Sequence, residues 1–219
     1  TATIFPVVEI CRRAHQHGIL TLIDGAHAPG QVPVDLTNID ADFYTGNCHK
    51  WLCAPKGSAF LYVQPQHHSI IEPLVISWGW VDGATFVQRN QQQGTRDTAA
   101  FLSVPAAIEF QRNHNWDAVR ARCHELARQT RLRIAELTGL EPLLPDSEQF
   151  FAQMIAAPLP KLNPEILAQR LREEFRVEIP ITQWNGKLGI RASYQAYNTP
   201  DDMEVLLDAL SVLLPQLTH

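Results

Sequence analysis

Apolar and polar positions along the chain switch between two periods. In PVVEICRRAHQHG, Val7, Cys11 and Ala14 recur at helical spacing and Gly18 supplies a stop, which predicts a helix. ILTLID follows as a short apolar, partly β-branched run, which predicts a buried strand ending at Asp24. GAHAPGQVPVDL is dense in Gly and Pro and reads as a loop, whereas ADFYTGN and SAFLYV read as two further strands. A helix, a buried strand and then more strands point to an α/β layered sheet.

Helical periodicity fades between about Gln66 and Asp97, where Trp78, Gly79, Trp80 and Gly83 keep loop-like company. It returns from Asn115 to Thr138: Val119, Cys123, Leu126, Thr130, Ile134 and Leu137 line one face, and Gly139 ends the helix. QFFAQMIAA then predicts a strand. Asn163-Pro164 caps and opens a helix running to about Phe175, and RVEIPIT and KLGIRAS predict two strands. Thr199-Pro200-Asp201-Asp202 starts a last amphipathic helix with Leu206, Leu207, Leu210 and Leu214 inward. That second pattern is a compact α+β unit. The expected organisation is therefore residues 1–120 in one domain and 121–219 in another, divided within or near the long helix. No internal repeat or low-complexity segment interrupts it.

Composition narrows the function classes. The formal net charge of −5 offers no basic face for nucleic acid. Apolar runs such as GILTLI are too short to span a bilayer, and no charged-then-apolar leader opens the chain. Cys11, Cys48, Cys53 and Cys123 form no CxxC pair, and Cys11 and Cys123 fall on apolar helix stripes, which suits reduced thiols in a cytoplasmic protein. The His15/His17 pair and His67-His68 lack an accompanying cysteine or carboxylate set, so no metal site is read.

The chemistry concentrates in GNCHKWLCAPKG, Gly46 to Gly57. A lysine at the end of a strand is costly unless it is paired or chemically used. Asp24 ends one strand, His49-Lys50 follow another, and Arg191 sits in the late strand pattern. A carboxylate, a lysine and an arginine at strand termini are what an open α/β sheet uses to build a ligand site. Taken singly, Asp24 reads equally well as an Asp-Gly turn, His27 as a loop histidine and Arg191 as a strand-edge residue.

TLIDGAHAPGQVPVDL…ADFYTGNCHKWLCAPKGSAFLYV resembles the class V aminotransferase family of fold-type I pyridoxal-phosphate enzymes. Within it, the nearest pattern is the group of isopenicillin N epimerase and the cysteine C–S lyases. QQGTRDTAAFLSVPAAIEF and IRASYQAYNTPDDM fit the same group. The resemblance implies the C-terminal part of the large-domain sheet plus a small α+β domain. Lys50 then resembles the lysine that forms the internal aldimine with pyridoxal 5'-phosphate; a desolvated lysine more often presents the free amine that attacks an aldehyde. Asp24 matches the aspartate facing the pyridine nitrogen, and His27 the residue near the phenolic oxygen. Asn47 and His49 fall where the family contacts the phosphate, although Ser or Thr is commoner at the position of Asn47. Thr95 matches a residue reaching the phosphate of a partner subunit's cofactor, which implies a homodimer with a shared site. Arg191 matches the arginine that clamps a substrate carboxylate.

Two departures accompany the match. The chain begins midway along the family's large domain, so it is expected to lack the Gly-Thr-type phosphate loop and the aromatic ring stacked on the cofactor, and to expose sheet edges. Between Phe175 and Arg191 there is no cysteine, which speaks against a cysteine desulfurase. The expected activity is thus pyridoxal-phosphate-dependent α-proton abstraction from an amino acid or a derivative of one, of epimerase-like or C–S lyase-like outcome. Two alternatives stand beside it: a class V aminotransferase, and a non-catalytic interaction half-domain.

Overall fold

In the computed structural model, which describes residues 2–218, helix α1 (Val7–Gln16) forms on the predicted stripe and buries Cys11. Gly18 follows at φ 67°, a left-handed stop that glycine takes without steric cost. The chain divides into two compact units, Pro6–His114 and residues 115–218 with residues 2–5.

In the first unit, β1 (Leu22–Asp24) pairs in parallel with β2 (Phe43–Asn47), which pairs antiparallel with β3 (Ala59–Val63), giving the order β1-β2-β3. Helix α2 (Leu36–Ile39) precedes β2 and is capped by Asp35, whose side chain accepts from the N–H groups of Thr37 and Asn38. A 3-10 turn (Pro65–Ile70) follows β3. Three helices come next: α3 (Phe86–Gln91), α4 (Ala99–Leu102) and α5 (Val104–Asn113). None of these three is marked by the apolar pattern. Their apolar residues Val87, Leu102 and Phe110 are exposed, so no inward stripe distinguishes them. In α5, Pro105 reads as a breaker but occupies the first turn, where its missing N–H costs nothing.

The strand at ILTLID is shorter and more exposed than its sequence predicts. It covers three residues, and Leu22 is 67% exposed. Within the described residues β1 is an edge strand with a neighbour on one side only. Alternation turns Ile23 toward the core of Cys11, Ile39, Ala41 and Tyr44 and leaves Leu22 outward.

In the second unit, α6 (Trp116–Thr138) is followed by β4 (Met154–Leu159), α7 (Pro164–Phe175), β5 (Ile181–Trp184), β6 (Lys187–Ser193) and α8 (Pro200–Leu217). The strands form an antiparallel sheet in the order β4-β6-β5. Helix α6 packs on β4, and α8 packs on α6 and α7. Ile134, Phe151, Leu167, Leu171, Ile190 and Leu210 are all essentially inaccessible in the core between them. Local chemistry fixes the helix starts as predicted: Asn163 accepts from Glu165 and Ile166, and Thr199 and Asp202 form a reciprocal capping box.

Three details of this unit differ from the sequence reading. The buried stripe of α6 runs through Ala127, Arg131 and Ile134 toward Thr138, which leaves Leu137 44% exposed. The strand expected from RVEIPIT begins only at Ile181. Arg176 is a left-handed cap at φ 58°, and Pro180 has no N–H for a ladder, although its carbonyl accepts from Arg191 at 3.0 Å. Likewise β4 starts at Met154, because Ser147–Phe150 close a turn before it.

Candidate active site

The site in the first unit is built where β1 and β2 end side by side, Asp24 opposite Thr45 in the parallel register. Chain leaves β1 into the 25–32 loop and leaves β2 into the 48–54 turn, and these two segments press together. Two glycines make that possible. Gly25 lies under the Tyr44 ring, where a Cβ would fall 2.1 Å from the hydroxyl. Gly30 has φ 86°, and a Cβ there would stand 2.6 Å from the main chain of Trp51 and Leu52. A side chain at either position cannot be accommodated without moving backbone or a buried ring.

This approach brings His27 onto the second segment. Its Nε2 lies 3.2 Å from Lys50 Nζ, and its Nδ1 accepts from the indole N–H of Trp51 at 3.1 Å. The loop is held by Gln31, whose side-chain amide donates to the His27 carbonyl at 2.8 Å. The turn is held by Gln111 of α5, whose amide donates to the Trp51 carbonyl at 3.0 Å. Cys53 takes a left-handed conformation at φ 62°, and its N–H closes onto the Lys50 carbonyl. Lys50 and His49 are half-buried and Trp51 is buried. So Lys50 sits on a short, tightly pinned turn.

Around it, Asp24 is exposed, and its Oδ1 accepts from Ala26 N–H at 3.0 Å; Oδ2 has no hydrogen bond among the described residues. Burial, and then the Asp24 charge, push the Tyr44 phenol above its ordinary value. His49 donates from Nδ1 to the Ser58 carbonyl at 3.0 Å. Asn47 is the last residue of β2, and its side chain makes no hydrogen bond among the described residues. Thr95 lies in an exposed bend after Gly94. Burial pushes the Cys48 thiol up, as for an inert buried cysteine.

Arg191 belongs to the second unit. It sits on β6 opposite Ala156, half-buried, and lines an open cavity of about 340 Å³ with Val177, Pro180, Tyr194, Asn198 and Val205. Its Nε is buried without a hydrogen-bond partner, and no carboxylate among the described residues pairs with it. Tyr194, three residues on, anchors the strand end: its N–H donates to the Gln153 carbonyl and its hydroxyl meets Thr130 Oγ1 at 2.5 Å.

The motif residues were legible singly; Trp51, Gln31 and Gln111 were not read as site residues. Trp51 directly follows Lys50, and a tryptophan next to a functional lysine is the available signal. The other two act through contacts that sequence spacing does not announce. Among the described residues no group of three His, Cys, Asp or Glu side chains converges as a metal-ligand set, and no helix is long and apolar enough to cross a membrane.

Comparison with known proteins adds the family. Aminotransferase class-V matches residues 1–206, and the chain belongs to that family. It is 36% identical to isopenicillin N epimerase of Streptomyces clavuligerus over 97% of this chain and 57% of the relative. It is 31% identical to a probable chloroplastic L-cysteine desulfhydrase of Arabidopsis thaliana over 97% of this chain and 48% of that protein. The chain thus spans about half the length of these curated relatives. In fold it is similar to the apo cysteine desulfurase of Thermococcus onnurineus NA1 (TM-score 0.82, 20% identity, 99% of this chain and 57% of that one). It is also similar to the cystine C–S lyase C-DES in complex with cysteine persulfide (TM-score 0.80, 19% identity, 95% and 57%). The mixed α/β architecture is that of fold type I.

Proposed function

We propose that the protein is a pyridoxal-phosphate-dependent enzyme acting on an amino acid or an amino-acid derivative. The observation that carries this reading is Lys50 Nζ, held 3.2 Å from His27 Nε2 on a pinned turn at the ends of adjacent strands. The residues fit the group. An amine suits an aldehyde, and the open Asp24 oxygen suits a protonated ring nitrogen. Asn47 and Thr95 carry side-chain donors suited to a phosphate, and the His49 ring, whose Nδ1 donates to Ser58, would donate to it from Nε2 as the imidazolium. Bound pyridoxal phosphate supplies an electron sink that acidifies the α C–H of an amino acid. Lys50 would hold it, and the Lys50 amine would carry the proton at the substrate α-carbon. The Arg191 guanidinium, lacking a carboxylate of its own among the described residues, would take the substrate carboxylate.

The unit of residues 6–114 then serves as the large cofactor-binding domain and the other as the small domain. Epimerase-like or C–S lyase-like chemistry is favoured by the names of the more similar relatives. Desulfurase chemistry is disfavoured because residues 176–190 contain no cysteine. Thr95, exposed, would reach a partner subunit's phosphate in a homodimer.

The test is α-proton exchange. In deuterated buffer, the cofactor-loaded protein expressed from its complete gene is expected to wash out the α-hydrogen of a member of an L-amino-acid panel that includes L-cysteine, since all these outcomes share that step. Arg191→Lys is expected to raise KM for that substrate by about 10–100-fold, the loss of one bidentate charge-assisted pair. No exchange with any member, or an unchanged KM in the variant, contradicts the proposal.

A further inference from the structure

Trp51 does more than pack beside the site. An indole N–H can only donate, so the contact at 3.1 Å makes His27 Nδ1 an acceptor. A neutral imidazole accepting at Nδ1 carries its proton on Nε2, and that nitrogen is the one 3.2 Å from Lys50 Nζ. An ammonium at Nζ would face this N–H donor to donor. A free amine accepts from it. The chain of donors therefore runs Trp51 to His27 to Lys50, and only the unprotonated amine closes it.

We propose that Trp51 is a positioning residue that fixes the Nε2–H tautomer of His27 and thereby presents Lys50 as a hydrogen-bond-accepting, nucleophilic amine. The structure supports this with more than a single contact. Trp51 is 7% exposed, its carbonyl is clamped by Gln111, and the Gly30 main chain lies directly against its peptide. The indole therefore has little freedom to turn away from the imidazole. His27 is equally constrained, since Gln31 holds its carbonyl from the far side of the loop. The proposal rests on the reading of Lys50 as the cofactor-holding amine. If that amine is committed to the cofactor, the same Nε2–H becomes a donor for an oxygen of the ligand, so one tautomer serves both roles.

The test uses the protein expressed from its complete gene, prepared without cofactor and labelled with ¹⁵N-histidine, with long-range ¹H–¹⁵N correlation as the readout. The His27 signals are identified by their loss in His27→Gln. The expected result at neutral pH is a single neutral form, unprotonated at Nδ1 and protonated at Nε2. In Trp51→Phe, which keeps an aromatic ring and removes the donor, the two nitrogen signals are expected to converge as other protonation forms mix in. A second readout is trace acylation followed by peptide mapping, with Lys56, Lys161 and Lys187 as internal references. Lys50 labelling relative to those three is expected to fall at least about threefold in the variant, the equivalent of one net hydrogen bond.

A parent His27 that is protonated at Nδ1 overturns the proposal, even if the variant does not fold. A folded variant whose His27 spectrum and Lys50 labelling match the parent overturns it too. Neither readout needs the cofactor. A chain that binds no pyridoxal phosphate can pass them, and a working enzyme can fail them, so the two readings fail separately.

Discussion

Lys50→Ala is expected to abolish cofactor-dependent turnover in the protein expressed from its complete gene, a loss of at least about 10³-fold. Lys50 combines two roles that no neighbour can share: it would hold the cofactor through its amine, and it would move the proton at the substrate. The only other lysine nearby in sequence is Lys56, exposed in the Pro55–Gly57 turn and outside the His27 contact. Lys56→Ala is the matched control and is expected to leave turnover unchanged. The steady-state rate constants of both variants decide the point. Turnover within about tenfold of the parent in Lys50→Ala removes the basis of the functional reading, because general acid–base assistance alone contributes about 10²–10⁴-fold.

Asp42→Asn is expected to cost about 3 kcal/mol of stability at pH 7, read as a shift of the urea unfolding midpoint. The Asp42 side chain, just before β2, is 6% exposed and gathers separate parts of the first unit. Oδ2 accepts from the Thr21 N–H at 2.7 Å and hydroxyl at 2.9 Å and meets His15 Nε2 of α1 at 3.0 Å. Oδ1 meets His67 Nε2 of the 3-10 turn at 2.6 Å. Asp40 also faces His15, at 3.5 Å. An asparagine keeps the size but loses the charge and replaces one of the two acceptor oxygens with a donor group. Burial pushes the carboxyl up, but the hydrogen bonds from Thr21, His15 and His67 together outweigh it and hold the group well below the usual carboxylate range.

The sign of the pH dependence follows. A folded-state value below the unfolded one means that the contribution is fully present above about pH 4 and is lost as pH falls through the folded value. The stability gap between parent and variant is therefore expected to narrow progressively below about pH 4. A variant as stable as the parent at pH 7, or a gap that widens on acidification, contradicts this assignment.

What the sequence revealed and what it hid divide along local and non-local lines. The caps at Asn163 and Thr199 were legible because a capping side chain bonds within its own first turn. The strand end at Asp24 was legible because an apolar run stops there. The run ILTLID predicts a burial that Leu22 does not have, since whether Leu22 is covered depends on which strand lies beside it and not on its own run. The site shows the same division. Lys50, Asp24 and His27 could be picked from motifs, but the meeting of His27 with Trp51 spans 24 residues and needs the close approach at Gly30. Sequence spacing tests His15 and His67 only for a metal-ligand set, which they lack. Their shared carboxylate lies 27 and 25 residues away, beyond any spacing rule.

The most direct test of the central claim is covalent. Pyridoxal phosphate is added to the protein expressed from its complete gene, the visible band is recorded, borohydride is added, and the pyridoxyl label is mapped by peptide sequencing. The expected result is a band that reduction removes and a label confined to Lys50. A label on any other lysine of the chain with Lys50 unmodified would contradict the assignment of Lys50 as the cofactor-holding residue.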